Sequence, residues 1–296
     1  MVKPAAKREA VEHLAATRGF SRRRACGLVD LSRTVLAYEP KRRPPTELLD
    51  KMRRIAAERP RFDYRRLRIL VQREGDQITA SRFYRLYRSL DLGLRKRPRN
   101  RLKRQPRGPR PPATTVDHRW SMDFVGDTLA NRRRPFRVLG IVDDCSRECV
   151  AVEVGDVLTS ERLVRVLERL RTDRGLPKSI VVDNGPEFTA ARTRRWAAEN
   201  GVVPDFIQPG KPTQNAYAEN FNGRLRDECL NQHEFVDLEH ATALIEAWRD
   251  DYNRIRPHGS LGGRTPNEYA SELKKVGPPP LGEAVPIPVP ESSVLK

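Results

Sequence analysis

The sequence lacks the features of membrane and secreted proteins. It has no run of about 18 apolar residues, which excludes a membrane-spanning helix. Its first residues are polar and basic without an apolar signal core, so we expect a protein of the cytoplasm. Only four cysteines occur among 296 residues and none stands in a Cys-x-x-Cys pair, which predicts free thiols in a reducing compartment.

Negative charge is scarce in the first part of the chain. The whole sequence has 57 Lys and Arg against 39 Asp and Glu, a net charge of +18. Residues 1–118 contain 32 basic and 12 acidic residues, whereas the remaining residues contain 25 and 27. The positive excess therefore lies before residue 119, and an excess of this size predicts a nucleic acid as the partner.

The densest basic segment is residues 93–116, which carry nine basic residues, no acidic residue and five prolines. Like charges repel and proline blocks regular structure, so this segment is predicted to be an extended linker. It is either a solvated spacer or an arm that follows DNA phosphates, and we favour the arm because uncompensated cations release DNA counterions. A second Pro-rich segment, residues 273–296, is predicted to be a disordered tail.

Two helical units precede the linker. Residues 1–40 contain short helical stretches with Ser21 and Ser32 as candidate caps, a pattern typical of a helix-turn-helix unit. Residues 44–92 form a second candidate, whose last helix begins after Thr79 or Ser81. A plain helical hairpin is the alternative for the first unit.

The last helix of the second unit has two different faces. Arg82 and Arg85 lie one turn apart with Arg88 following, and this helix is predicted to read DNA. Phe83 and Tyr87 belong to the apolar stripe that is predicted to face the core of the unit. The alternative is that the arginines merely face solvent.

Residues 117–272 change to a strand pattern. Three antiparallel strands are followed by helix, strand, helix, strand and helix, which is the ribonuclease H-like order. The predicted fold class is α/β, with a mixed five-stranded sheet and flanking helices, preceded by the all-α helix-turn-helix units.

Three acidic residues stand out in this region. Asp123 lies in the middle of a strand, where Asp is disfavoured, Asp183 ends an apolar strand, and Glu219 lies on a helix. Carboxylates that converge at strand ends repel one another unless a divalent cation neutralises them. Two bound magnesium ions can activate a hydroxyl and stabilise the leaving oxygen of a phosphodiester. Taken singly, Asp183 could instead form a turn and Glu219 could be a surface charge.

The motifs around these acids resemble those of a known superfamily. Residues 120–124, 182–188 and 215–226 resemble the catalytic motifs of the DDE integrase-transposases, and 35 residues separate Asp183 from Glu219. Residues 62–67, 84–87 and 252–266 resemble the downstream-frame (OrfB) protein of the large two-frame bacterial insertion-sequence family, which is related to retroviral integrases.

This resemblance implies a DNA transposase that binds element ends and performs metal-dependent 3′ end cleavage and strand transfer by direct transesterification. Asp123, Asp183 and Glu219 would hold two Mg²⁺ or Mn²⁺ ions. The implied partners are double-stranded DNA of the element ends and target, further copies of the chain on DNA, and the upstream-frame (OrfA) protein, or a frameshift fusion with it. The implied location is the bacterial cytoplasm, at the nucleoid.

Further residues are predicted to bind DNA. Arg226 matches a basic residue that these transposases place two turns after the Glu, and with Asn215 it would contact phosphates or flank the active site. The residues predicted to contact DNA are Arg226, Asn215, Asn222, Arg82, Arg85, Arg88, Arg65, Arg66, Arg95, Lys96 and Arg97.

Other residues and functions have different interpretations. Asp143 and Asp144 are interpreted as a turn pair, and His258 as structural. The alternative functions are a non-catalytic DNA-binding regulator and a structure-directed nuclease.

Overall fold

The computed structural model describes residues 4–37, 46–94, 113–130 and 134–276. The tail is predicted to begin at residue 273, but residues 273–276 are the end of a helix, Pro266–Val276. The rest of the predicted tail and most of the predicted linker lie outside the described ranges. The chain divides into two compact units, residues 1–50 and 51–296. Each unit is described by itself below. The predicted domain limits at residues 40, 44, 92, 116 and 272 stay predictions.

The first unit is helical. Its helices are α1 (Pro4–Arg18), α2 (Arg22–Leu28), α3 (Arg33–Leu36) and the start of α4 (Thr46–Glu58). The side chains of Ser21 and Ser32 accept hydrogen bonds from the first turns of α2 and α3, as predicted for N-caps. Val11, Ala25 and Cys26 form a small buried core. The assignment of this unit as a helix-turn-helix stays a prediction.

The second unit begins with a group of helices that we call the helical module, residues 51–94. It contains the rest of α4 together with α5 (Tyr64–Arg73) and α6 (Ala80–Ser89). Thr79 caps α6 by accepting the backbone N–H of Arg82. Phe83 and Tyr87 are buried, as expected for the apolar stripe of this helix. The helix-turn-helix assignment is again a prediction.

The remainder of the second unit is a mixed five-stranded sheet with flanking helices. The strands lie in the order β3-β2-β1-β4-β5, with β1 antiparallel to β2, β2 antiparallel to β3, and β4 parallel to both β1 and β5. The predicted fold class is thereby confirmed. The strands and helices are β1 (Arg119–Thr128), β2 (Pro135–Asp143), β3 (Cys149–Gly155), α7 (Ser160–Asp173), β4 (Ser179–Val182), α8 (Pro186–Thr189), α9 (Ala191–Glu199), β5 (Val203–Phe206), α10 (Ala216–Glu228), α11 (Leu238–Arg254) and α12 (Pro266–Val276).

Each face of the sheet carries its own apolar core. On one face Trp120 and Met122 of β1 pack with buried side chains of α7 and α9. On the other face Val125 and Val138 pack with Phe221 of α10 and with α11. Alternate residues of a strand point to opposite faces, so Asp123 lies on the face that α10 covers.

The close approach of α10 to the sheet depends on a glycine. Gly140 of β2 pairs with Asp123 of β1. The Cβ of any other residue at position 140 would lie 2.7 Å from Cε1 of Phe221 and 3.5 Å from Oδ1 of Asn222. Phe221 is itself 1% exposed and enclosed by Trp248 and Tyr252, so its ring has little freedom to give way.

Two further predictions concern the cysteines, expected to be free thiols, and the lack of a long apolar run. Cys26, Cys145, Cys149 and Cys229 are buried free thiols. Within the described ranges, no helix combines the length and the apolar character needed to cross a bilayer.

We predict that Gly140→Ala destabilises the fold by about 1–3 kcal/mol, because the added methyl group must displace Phe221 and with it α10. The measurement is the free energy of unfolding from urea titration. Gly126→Ala is the matched control, since its Cβ would meet Phe136 O at an ordinary 3.7 Å. Equal stability of the two variants would contradict the packing argument.

Candidate active site

Asp123 lies in the middle of β1 and is partly buried. Its Oδ1 accepts the backbone N–H of Phe124 at 2.8 Å, and its Oδ2 accepts the side-chain amide of Asn222 at 3.0 Å. Both donors are neutral, so they favour the ionised carboxylate without cancelling its charge.

Asp183 follows β4 directly. The parallel register pairs Trp120 with Ile180 and Ser121 with Val181, and its continuation by two residues brings Asp183 level with Asp123 on the neighbouring strand. The Oδ1 atom of Asp183 accepts the backbone N–H of Gly185 at 2.8 Å, which closes a tight turn.

The neighbouring Asn184 holds this turn in place. Its side-chain amide donates to the carbonyl of Ile207 at 2.9 Å, just beyond the end of β5. Asn184 therefore ties the turn after β4 to the end of β5.

Glu219 lies in the first turn of α10, on the helix that packs against β1 and β2. A 3-10 helix, Pro212–Asn215, leads into α10. Asn215 is 2% exposed and donates its side-chain amide to the carbonyl of Met122 at 2.9 Å. The DNA contact predicted for Asn215 is therefore not supported, because a side chain buried in this way has no surface to offer to a phosphate. It flanks the site and ties the start of α10 to β1.

The charges of the three acids act on one another. The pKa of Asp123 is raised to about 6, chiefly by burial and also by the negative charges of Asp183 and Glu219. The N–H of Phe124 and the amide of Asn222 act in the opposite direction. Mutual repulsion of this kind is expected where carboxylates converge on a cation site.

The donor chemistry of these residues fits a hard divalent cation, since the three side chains offer only carboxylate oxygens. A further amide oxygen, Oδ1 of Asn222, is buried beside Asp123 without a hydrogen-bond partner. In the part of the chain that the structure describes, however, no three His, Cys, Asp or Glu side chains already stand close enough to hold one ion. Binding a cation would therefore draw the carboxylates together.

Arg226 and Asn222, also predicted to contact DNA, lie on α10 beside the acids. Arg226 donates to the carbonyl of Gly126 at 2.8 Å and is exposed, so DNA contact stays a prediction for it. Asn222 donates its side-chain amide to Asp123 and buries its other polar atom, so it positions Asp123, and DNA contact stays a prediction for it.

The predicted DNA-binding residues of the helical module differ in exposure. Arg82, Arg85 and Arg88 of α6 are exposed, and so is Arg65. Arg66 is partly buried with its guanidinium 5.6 Å from the ring centre of Phe62, and burial and the charge of Arg256 lower its pKa.

Three of the residues predicted to contact DNA belong to the linker. Arg95, Lys96 and Arg97 lie outside the described residues. DNA contact stays a prediction for all of these arginines and for Lys96.

Sequence reasoning missed an ion pair beside the acids. Arg137 of β2 pairs with Glu187, and its guanidinium lies 4.1 Å from the ring centre of Phe124. The Cβ of a residue at position 185 would lie 2.9 Å from Asp183 Oδ1 and 3.3 Å from Glu187 Oε2. The signal available in the sequence was an arginine within an otherwise apolar strand.

The acidic pair Asp143 and Asp144 has structural partners. Asp143 accepts hydrogen bonds from Ser146, and Asp144 accepts them from Arg119 and Ser121. This agrees with their interpretation as a turn pair.

His258 is buried against Tyr252, and burial lowers its pKa to about 3. The side chain therefore stays neutral, which agrees with the interpretation of His258 as a structural residue.

Comparison with known proteins identifies the family. A family model described as an integrase core domain matches residues 113–212, and a second model of that description matches residues 200–266. The chain is 44% identical over 262 residues to the 31.7 kDa protein of insertion element IS407 from Burkholderia multivorans, covering 88% of this chain and 94% of that protein. The chain belongs to the integrase-core transposases of bacterial insertion elements. It is therefore a polynucleotidyl transferase, which confirms the predicted enzyme class.

Two more distant similarities agree with this assignment. The transposase is 29% identical over 238 residues to the Transposase InsD for insertion element IS2 of Escherichia coli, covering 76% of this chain and 78% of that one. Its fold resembles a chain of the simian T-cell lymphotropic virus intasome, with a TM-score of 0.51, 18% identity and 75% of each chain covered. At this identity the second similarity shows the fold alone.

We predict that Asn222→Leu raises the pKa of Asp123 above about 6, because the amide that favours the ionised form is lost. The measurement is an NMR titration of the ¹³C-labelled aspartate carboxyl groups in metal-free protein. Asn220→Leu is the matched control, since Asn220 is exposed on the same helix and bonds only locally to Ala216. An unchanged or lower titration midpoint for Asp123 would rule out the positioning contact.

Proposed function

We propose that this transposase binds the ends of its element, cleaves there to expose a 3′ hydroxyl, and joins that hydroxyl to another phosphodiester by direct transesterification. The observation that carries the proposal is the pKa of Asp123, which is raised by burial and by the negative charges of Asp183 and Glu219, so that the three acids act on one another. A protein that only binds DNA has no use for carboxylates that repel one another in one cleft.

Asp123, Asp183 and Glu219 are the residues that would hold two Mg²⁺ or Mn²⁺ ions. When bound, these ions would lower the pKa of the attacking hydroxyl and stabilise the leaving oxygen of the phosphodiester. Asn222 would keep the carboxylate of Asp123 in position by donating to its Oδ2. The turn closed by Asp183 on Gly185 orients the second carboxylate.

DNA would be held by positive charge outside the acidic cleft. The exposed arginines of α6, together with Arg65 and Arg226, offer guanidinium groups that suit phosphate oxygens. The linker residues Arg95, Lys96 and Arg97 extend this charge along the sequence. Such contacts supply affinity that is independent of base sequence and falls with salt.

The partners follow from the reaction. Two element ends must be processed and joined to a target, so we propose that at least two copies of the chain assemble on double-stranded DNA. The resemblance to two-frame insertion sequences adds an upstream-frame (OrfA) protein, or a frameshift fusion with it, as a further partner. The proposed site of action is the nucleoid in the bacterial cytoplasm.

We predict that Asp183→Asn abolishes both cleavage and strand joining while DNA binding is retained, because the acid lies in the cleft and not among the arginines. The assay uses labelled element-end duplex with Mg²⁺ or Mn²⁺, and a lost metal ligand is expected to lower the rate by at least about 10³-fold. Asp127→Asn, on the same strand as Asp123, is the control.

The same assay separates the rival functions. Cleavage that persists in the Asp183→Asn variant would contradict the assignment of Asp183 as a metal ligand. Binding without cleavage by the wild type, even with the upstream-frame partner present, would favour a regulator. Cleavage of branched or mismatched duplexes without preference for element ends would favour a structure-directed nuclease.

The raised pKa of Asp123 predicts how stability depends on pH. In metal-free protein, an acid whose pKa is higher in the folded state stabilises the fold below its unfolded pKa of about 3.8, and this contribution is lost as pH rises through about 6. The neutral side chain of the Asp123→Asn variant does not ionise, so the variant does not lose this stability as the pH rises. We therefore expect the variant to melt a few degrees above the wild type at pH 8, but not at pH 4.5.

Melting curves with EDTA and with Mn²⁺ at both pH values provide the measurement. Mn²⁺ should raise the melting temperature of the wild type at pH 8 and much less at pH 4.5, because protons compete for the same carboxylates. The Asp123→Asn variant should show little response. A metal response that is equal at both pH values would contradict the assignment.

A further inference from the structure

Two stretches of the sequence that resemble the downstream-frame (OrfB) protein take no part in the proposed chemistry, and they meet in the structure. Residues 62–67 lead into α5 in the helical module, and residues 252–266 run from the last turn of α11 to the start of α12 in the catalytic part of the same unit. We call the contact between them the Phe62–Arg256 joint.

A buried ion pair lies at the centre of this joint. Arg256 donates from Nε and Nη2 to the two carboxylate oxygens of Glu228, at 2.7 Å and 2.6 Å. The side chains are 2% and 7% exposed. A two-pronged pair of this kind fixes direction as well as distance, and burial makes either charge unfavourable without the other.

Phe62 of the helical module covers this pair. Its ring is 4% exposed, and the guanidinium of Arg256 lies 5.7 Å from its centre. Arg59 and Arg66 of the module place their guanidinium groups over the same ring, at 5.8 Å and 5.6 Å. The apolar ring therefore shields the ion pair from water and strengthens it.

Ion pairs surround the centre of the joint. Arg59 pairs with Asp251 of α11, and Arg61 lies 3.4 Å from Asp227 of α10. These contacts join the loop after α4 to two helices of the catalytic part.

A second group of contacts lies at the other end of α5. Arg73 pairs with Glu268 at 2.7 Å and donates to the carbonyl of Ile255 at 3.3 Å. Ile69 packs so closely on Gly263 that a Cβ there would lie 2.9 Å from its Cδ1. The module is thus held along the length of α5 and not at one point.

The joint ends on the helix that carries the candidate site. Glu228 is the last residue of α10, and Glu219 lies nine residues earlier, about 14 Å away along a rigid helix. A second route runs through rings: Arg256 lies 5.6 Å from the centre of Tyr252, and Tyr252 meets Phe221 edge to face at 5.2 Å. Phe221 is the neighbour of Asn222, which holds Asp123.

We propose that the Phe62–Arg256 joint couples the helical module to the catalytic helix α10, with Arg256 as a positioning residue. DNA held by the module is thereby presented to the carboxylates in one geometry. The effect on cleavage rests on the proposed function, whereas the ordering of α10 does not.

The test is a charge swap at the edge of the joint, which spares the buried pair. Arg59→Asp and Asp251→Arg each turn an attraction into a repulsion, and the double variant restores the pair with its partners exchanged. Each single variant should increase hydrogen–deuterium exchange in α10 and lower the single-turnover cleavage rate by about tenfold or more, since small misplacements at a reacting centre have large effects. The affinity for element-end DNA should stay within about threefold, because the arginines of α6 are untouched. The double variant should recover both readouts.

The matched controls are Asp250→Arg, an exposed acid of α11 that pairs along the helix with Arg254, and Arg54→Asp, which pairs within the module. Neither should change exchange in α10. Wild-type exchange and cleavage in both single variants, or a double variant that recovers neither, would overturn the proposal. If the wild type cleaves no element end, the proposed function fails, and the exchange measurement alone decides whether the joint orders α10.

Discussion

The approach of α10 to the sheet is the contact on which the rest of the candidate site depends. It is possible because Gly140 has no side chain where Phe221 must enter. Asn215 and Asn222 then fasten the helix to β1, one through the carbonyl of Met122 and the other through the carboxylate of Asp123. Without this approach, Glu219 would be a surface charge on an ordinary amphipathic helix.

The electrostatic arrangement follows from this packing. Desolvation and two like charges act on Asp123, and only neutral groups oppose them in its immediate hydrogen bonds. A group of acids of this kind holds unfavourable energy that a bound divalent cation would relieve. The excess of positive charge lies elsewhere in the sequence, before residue 119, whereas the acids lie in a part of the chain that contains 25 basic and 27 acidic residues.

The comparison between sequence and structure is most informative at α10. The spacing of Asp123, Asp183 and Glu219 and the order of the strands could be predicted, because strand alternation and turn residues are local signals. The contacts that the asparagines of the same motif make could not be predicted. Asn215 is of a residue type that contacts DNA, yet it lies in the interior. Its side-chain amide bonds to Met122, which is 93 residues away in the sequence. No local pattern contains that information.

The sequence by itself determined the fold class and the family and singled out the three candidate acids, because each depends on residue types within short motifs. Only the tertiary structure decided what each supporting side chain contacts. The register of β1 and β4 brings Asp183 level with Asp123, and the docking of α10 gives Asp123 its amide partner. In the same way Arg59 meets Asp251 across 192 residues. Contacts of such sequence separation arise from the packing of whole elements, which a single sequence does not reveal.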